Sequence, residues 1–426
     1  MNEISNRFVT CFLAATFVIG LVANCGHAQD SWLQLRGQNQ GHAVVGATLP
    51  GTWSASENIV WKTKIEGLGW SSPVIDGDEI WLTNSIDKER SLRALCLSRK
   101  TGEIRIDVEV FNPAKLIAKH DRNSHATPTP VLDKENVYVH FGSYGTAALK
   151  RTTGKVLWKN QKTVINHQWG PGSSPILFQN LLVFNCDGMK LRYVVALDKA
   201  TGKQVWKTDR SIEITKGDFF RKAFSTPSIA KVNNELTLLT GGANQISAFV
   251  PADGKEQWSA EYFGYAGVTT PVSDSGRTFV TSGYGDQSLM AIQLDDTADH
   301  KSGEIIWSTN RNAPIIPTPI VVGTELYMVS DNGILSCLDA ATGKVHWKER
   351  LQGGFAASIT FGDGKLFLPN DKGVTFVVSP SKESCEIIAK NRLDSNIQAT
   401  PAIVDNEIFI RTKSSLYCIG KTDGRP

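Results

Sequence analysis

None of the seven cysteines belongs to a C-x-x-C pair, an adjacent Cys-Cys pair or a C-x-x-C-H site. Zinc sites, dithiol redox centres and c-type haem therefore lack their usual anchor. An excess of charge of one sign is missing too: 45 Lys and Arg stand against 42 Asp and Glu, interspersed, for a formal net charge of +3. That balance gives a nucleic-acid partner no support. Long apolar runs are confined to Phe8 to Ala23, broken by Thr10, Thr16 and Gly20. This is the length of an export signal, shorter than the about 20 apolar residues of a spanning helix. Small residues at Gly26 and Ala28 suit cleavage before Gln29, so residues 1–28 are expected to be a signal peptide and 29–426 the mature chain. Cys25 offers lipidation as the alternative, although Asn24 just before it fits a lipobox poorly. The expected location is periplasmic or extracellular, with membrane association only if Cys25 carries lipid, as an outer-membrane lipoprotein would.

What is abundant is Trp, with 11 copies, and Gly, with 37. They recur in a frame. Ala196-Leu197-Asp198-Lys199-Ala200-Thr201-Gly202-Lys203-Gln204-Val205-Trp206 returns at Ala148 to Trp158, Ala248 to Trp258 and Cys337 to Trp347, and an expanded copy starts at Ala291 and ends on Trp307. Weaker copies lie at Cys96 to Ile106, where Ile replaces Trp, and at Phe376 to Glu386. A further copy starts at Cys418. A second marker precedes each: Ser72-Pro73, Thr127-Pro128, Ser174-Pro175, Thr226-Pro227, Thr270-Pro271, Thr318-Pro319, the degraded Ser358-Ile359 and Thr400-Pro401, in steps of 40 to 55 residues. Short β segments with tight turns fill the space between markers, giving four antiparallel strands per repeat. A period of that length and content is a propeller blade, which cannot bury both faces without neighbours.

The last copy lacks its Trp-bearing strand, and before the first copy stands an unassigned segment, Asn58-Ile59-Val60-Trp61-Lys62. Joining the two closes the ring. The expectation is an all-β, eight-bladed propeller of four-stranded antiparallel blades whose last blade is completed by an N-terminal strand, leaving no open edge. Trp61 then takes the place held elsewhere by Trp158, Trp206, Trp258, Trp307 and Trp347, all read as structural docking residues that pack between blades. Cys96, Cys337 and Cys418 stand where other copies have Ala, so they read as small buried fillers. Asp198 and Asp339 are expected to brace the following Thr-Gly turns.

The pattern A-x-D-x-x-T-G-x-x-x-W resembles the docking repeat of pyrroloquinoline quinone (PQQ) dependent alcohol dehydrogenases and of the outer-membrane assembly factor BamB. Trp32-Leu33-Gln34-Leu35-Arg36-Gly37, Gly172-Ser173-Ser174-Pro175, Asn185-Cys186-Asp187-Gly188, Val329-Ser330-Asp331-Asn332-Gly333 and Leu416-Tyr417-Cys418-Ile419-Gly420 resemble more closely the exported PQQ-like propeller proteins common in planctomycetes. The resemblance implies the fold over nearly the whole mature chain. The dehydrogenases add a calcium ion, a catalytic Asp and an adjacent-cysteine disulfide; the disulfide is absent here and no acidic residue matches the other two roles one by one.

Loop length locates the working face. The turns on one face are tight, such as Asp76-Gly77 and Thr342-Gly343, whereas the opposite face receives the long crossings between blades. Function collects on such loops over a rigid scaffold. Two crossings, Val110 to Ala126 and Lys207 to Ala223, are expected to bring Arg122, His125, Arg221 and Lys222 toward the central opening, joined by His167, Trp169 and Trp70. Aromatic faces for stacking and Arg for paired hydrogen bonds are what a planar anionic ligand needs. With no catalytic residue or metal ligand identified, the reading is an exported, monomeric, non-catalytic propeller that binds a protein, peptide or glycan on the long-loop face. The alternative is a PQQ-binding oxidoreductase or sensor, with calcium, using the central opening.

Overall fold

A computed structural model describes residues 31–421, except 44, 45, 56 and 167. The expected signal peptide, Cys25 and His167 fall outside the described residues. Eight small antiparallel sheets follow one another around a central axis. The first blade comprises Val74–Asp76, Glu79–Ile86, Ser91–Ser98 and Ile104–Phe111, paired in chain order, and the next six repeat this arrangement. The eighth has Ala402–Val404, Glu407–Arg411 and Ser415–Ile419, and its outer strand is Ile59–Lys64, with Trp61 opposite Cys418 and Lys64 opposite Ser415. Closure by the two ends of the chain is thus a property of the fold.

The repeated Trp joins neighbouring blades. Trp158 Nε1 donates to the Lys199 carbonyl at 2.9 Å, Trp206 to Pro251 at 3.2 Å, Trp307 to Ala340 at 3.2 Å and Trp347 to Ser381 at 2.8 Å. Trp61 makes the same bond to Arg99 at 2.8 Å, tying the closing strand to the first blade. Each carbonyl belongs to the turn between the last two strands of the following blade, and under the Trp61, Trp158, Trp206 and Trp307 indoles lies that turn's glycine, which the turn at Ser381 lacks. Gly343 has φ +70°, and a methyl group there would stand 2.6 Å from the Trp307 ring, so both backbone and space require glycine. Directly across from each Trp lies a small residue, Ala148, Ala196, Ala248, Ala291, Cys337 or Cys418, with a bulge beside it. A large side chain there would push the indole off the next blade. Asp198 Oδ1 accepts from the Thr201 N–H and hydroxyl at 2.9 and 2.7 Å, and Asp339 does the same for Thr342 at 2.8 and 2.7 Å.

Before the first blade the chain takes a path that the repeat does not foresee. Ser31–Trp32 adds to the innermost strand of the first blade, and residues up to Ala43 then cross the channel end on the tight-turn face. Leu33 accepts from Leu132 in the second blade at 2.9 Å. Gln40 and Ser273 of the fifth blade exchange two hydrogen bonds of 2.9 and 2.7 Å. Arg36, 2% exposed, donates to Thr318, Pro319 and Ile359 of the sixth and seventh blades at 3.2, 3.0 and 3.4 Å and to Gln40 at 2.5 Å. The segment is a plug held by five blades.

Candidate functional site: a blind funnel on the long-loop face

The Ser/Thr markers form a ring at the inner ends of the blades. The backbone N–H of each donates to the hydroxyl of the next: Ser72 to Thr129, Thr129 to Ser174 and Ser174 to Thr226, each 2.9 Å. On the far side Thr270 donates to Thr318 at 3.1 Å, and Thr318 to Ser358, Ser358 to Thr400 and Thr400 to Ser72 at 3.0 Å each. The step from Thr226 to Thr270 carries the Ser225 hydroxyl to the Thr269 carbonyl at 2.7 Å. In the second blade the ring residue is Thr129, before Pro130, and not Thr127 as the dipeptide pattern had it. Thr127 instead bonds to Asn123 and Ser124 within its own loop.

This ring narrows a funnel of about 610 Å³ that opens on the long-loop face, within the range of small-molecule sites. Leu35 of the plug lies at the floor, and Trp70, Trp169, Phe224, Tyr284 and Phe355 supply aromatic wall. Polar groups come from His120, Arg122, Asn123, Asp371, Asn396 and Gln398. The Asn123 amide donates to the Trp169 and Pro171 carbonyls at 2.7 and 3.0 Å, and Asp371 accepts from the Gly354 N–H at 2.9 Å. No bond from the Arg122 guanidinium or the Gln398 amide is found among the described residues. Behind the wall, burial raises the Asp331 carboxyl although the Ile315 and Ile316 N–H groups donate to it at 2.6 and 3.2 Å.

Of the residues expected at the opening, Trp70, Arg122 and Trp169 line the funnel, and three others do not. His125 is 2% exposed, edge-on to Tyr144 at 5.2 Å, and burial lowers its pKa. Arg221 pairs with Asp218 at 3.6 Å, outside the lining. Lys222 is fully buried. Its Nζ lies 3.8 Å from the centre of the Trp169 ring and 3.4 Å from that of Phe219, with no hydrogen bond among the described residues. Trp169 also meets His120, Phe224 and Tyr284, so Lys222 sits inside an aromatic cluster that sets the angle of the funnel wall. Phe224, Tyr284, Phe355, Asp371 and Gln398 were not singled out by the sequence. The Ser/Thr markers were, but as punctuation and not as a floor.

Loss of hydration lowers the Lys222 pKa to about 8. A base whose folded pKa lies below its unfolded value binds fewer protons when folded, so stability rises with pH between the two values, here from about pH 8 to about 10.5. Lys222→Met keeps the apolar stem and removes the charge. Its expected effect is a gain of about 1–3 kcal/mol at neutral pH, read as a higher urea midpoint. The wild type's rise in stability above pH 8 should flatten in the variant. A loss of stability instead would mean that attraction of the cation to the two rings outweighs its burial.

A sequence model of the family described as outer membrane protein assembly factor BamB matches residues 40–163, 190–317, 296–381 and 332–426. Among curated relatives, the polyvinylalcohol dehydrogenase of Sphingopyxis sp. (strain 113P3) is 24% identical over 302 residues, 62% of this chain and 43% of that protein. The outer membrane protein assembly factor BamB of Burkholderia pseudomallei (strain K96243) is 25% identical over 240 residues, 52% of this chain and 55% of that protein. The chain spans about half the length of these two relatives. The crystal structure of BamB from Moraxella catarrhalis superposes with a TM-score of 0.59 at 13% identity, covering 86% of this chain and 98% of that one. That is a likeness of fold.

Proposed function

We propose, from the premise that this chain belongs to the BamB-type family of PQQ-like propellers, that it is an exported, non-catalytic binding or scaffold module that takes its partner on the long-loop face. One observation carries the reading: the plug makes the central cavity a blind funnel, so the face bearing the long crossings is where a ligand or partner enters. Around that mouth Phe219 and Tyr284 are 41% and 42% exposed, the kind of aromatic side chain that interfaces use as anchors.

The relative named as a dehydrogenase motivates the alternative, a PQQ-binding oxidoreductase or sensor. The residues fit that cofactor poorly. A planar ligand with several carboxylates calls for an excess of positive charge, yet the charged side chains lining the funnel among the described residues are Arg122 and Asp371, of opposite sign. Among the described residues no group of three or more His, Cys, Asp or Glu converges as a metal site.

Site-specific photocrosslinking in the producing cell tests the reading. A benzoylphenylalanine at Tyr284 should give adducts, and one at Asn234, in a turn of the opposite face, should give none. Arg122→Glu combined with Phe219→Ala should remove the Tyr284 adducts. Equal adducts from both faces, or none from Tyr284, would defeat the reading. Sustained dye reduction with alcohols after loading with PQQ and calcium would defeat its non-catalytic part.

A further inference from the structure

We infer that the funnel is a saccharide site that takes the end of a neutral glycan chain; this rests on the proposal that the long-loop face is the binding face. The chemistry of the ring comes first. The hydroxyl oxygens of Ser72, Thr129, Ser174, Thr226, Thr318, Ser358 and Thr400 each accept a backbone N–H. Their O–H hydrogens have no acceptor among the described residues. A hydroxyl carries one donor and two acceptor positions, so with one acceptor position filled, the hydrogen is free to point into the funnel. The narrow end of the site is a circle of hydrogen-bond donors.

A fully apolar ligand would strand those donors, at a cost for every one left dry. A polyanion would meet no excess of positive charge, because Asp371 offsets Arg122. An extended peptide alternates carbonyls with N–H groups pointing to opposite sides, so it cannot turn an acceptor to every hydroxyl of a closed ring. Saccharide hydroxyls both accept and donate, so their oxygens answer the ring. Their own hydrogens find the side-chain oxygens of Gln398 and Asp371. The apolar C–H faces of the sugar ring require flat aromatic surface, and Trp70 and Trp169 supply it on the wall above. The planar, double-ended groups Arg122 and Gln398 suit pairs of adjacent hydroxyls. A blind cavity of about 610 Å³ limits entry to the end of a chain.

Calorimetry and tryptophan fluorescence on the chain starting at Gln29 provide the test, with cellotriose, xylotriose, maltotriose and tri-N-acetylchitotriose as probes and PQQ and citrate as anionic comparators. At least one trisaccharide should bind saturably with Kd below about 1 mM, and bind about tenfold more weakly to Arg122→Ala and to Gln398→Ala. Both are solvent-facing changes, and circular dichroism checks that the variants fold; Thr270 also lines the funnel, and since among the described residues its hydroxyl accepts no backbone N–H of the ring, Thr270→Val removes a hydroxyl from the funnel without breaking a ring bond and should weaken binding as well. The inference is overturned by no response to any trisaccharide up to about 10 mM. Binding that the three variants leave unchanged, or tighter binding of PQQ or citrate than of every trisaccharide, also overturns it. If saccharides fail while the Tyr284 crosslinks persist, the saccharide inference falls and the binding-face reading stands; if saccharides bind while crosslinks are absent, the site stands without a protein partner.

Discussion

Replacing Asp187 with alanine is expected to lower stability by about 3–5 kcal/mol. Asp187 and Arg210 form an ion pair with no side-chain exposure on either partner. The contact is two-pronged, with Arg210 Nε donating to Oδ1 at 3.1 Å and Nη2 to Oδ2 at 2.6 Å. The guanidinium also reaches the Thr240 hydroxyl at 2.5 Å and the Gly241 carbonyl at 3.1 Å, so the pair fastens the third blade to the fourth. Alanine at 187 leaves a buried cation with only neutral acceptors. The sign of the test lies in the comparison with the double variant Asp187→Leu, Arg210→Met, which removes both charges and should recover much of the loss. Urea denaturation of the four corners of the cycle measures it. A double variant no more stable than Asp187→Ala would mean that the hydrogen bonds to the fourth blade, and not the uncompensated charge, carry the effect. The funnel should feel the single change too, because the Asp187 carbonyl accepts from Ala223 at 3.3 Å, the residue between Lys222 and the wall residue Phe224.

The blades were legible because what makes a blade is local. Trp206, the glycine four residues before it beneath the preceding blade's indole, and the small residue across the strand sit at fixed offsets, so periodicity alone reveals them. Ile106 could be placed without its Trp because the frame around it is intact; it packs where the indole would, with the position of a methyl on Gly154 falling 2.5 Å from its side chain. Two kinds of feature escaped. Thr127-Pro128-Thr129-Pro130 offers two equal dipeptides, and only the hydrogen-bond ring selects Thr129. Lys222 reads as a rim cation in its basic, loop-like surroundings. Its actual neighbours are Phe219, which is local, and Trp169, which comes from another crossing, and no chain spacing announces such a meeting. The same holds for the funnel lining, where Tyr284, Phe355, Asp371 and Gln398 come from different blades and share no motif.

Arg36→Ala is expected to release the plug while leaving the blades intact. The side chain lies among carbonyls, of Thr318, Pro319, Ile359 and Gln40, with no carboxylate in contact among the described residues, and burial lowers its pKa to about 9. Removing it leaves those carbonyls without their donor, at about 1–3 kcal/mol for each that stays dry. Since the plug contributes no blade strand beyond Ser31–Trp32, that cost is most cheaply relieved by lifting the segment into water. Hydrogen exchange should therefore speed up at Leu33, Gly41 and Ala43, whose N–H or carbonyl groups bond to other blades or within the plug, by more than at the strands of the sixth and seventh blades. Limited proteolysis between residues 31 and 58 should accelerate in parallel. Arg36→Lys should rescue little, because one ammonium cannot reach four carbonyls that a planar fork reaches together. The functional consequence follows from Leu35, which forms the funnel floor next to the arginine. With the plug lifted, the cavity becomes a channel open at both faces, water reaches the hydroxyl ring from below, and any ligand held against that ring should bind at least about tenfold more weakly. Uniform exchange across the whole propeller would instead make Arg36 a pillar of the fold. Unchanged exchange at Leu33 and Gly41 would mean that Gln40, His42 and the strand at Trp32 hold the plug without it.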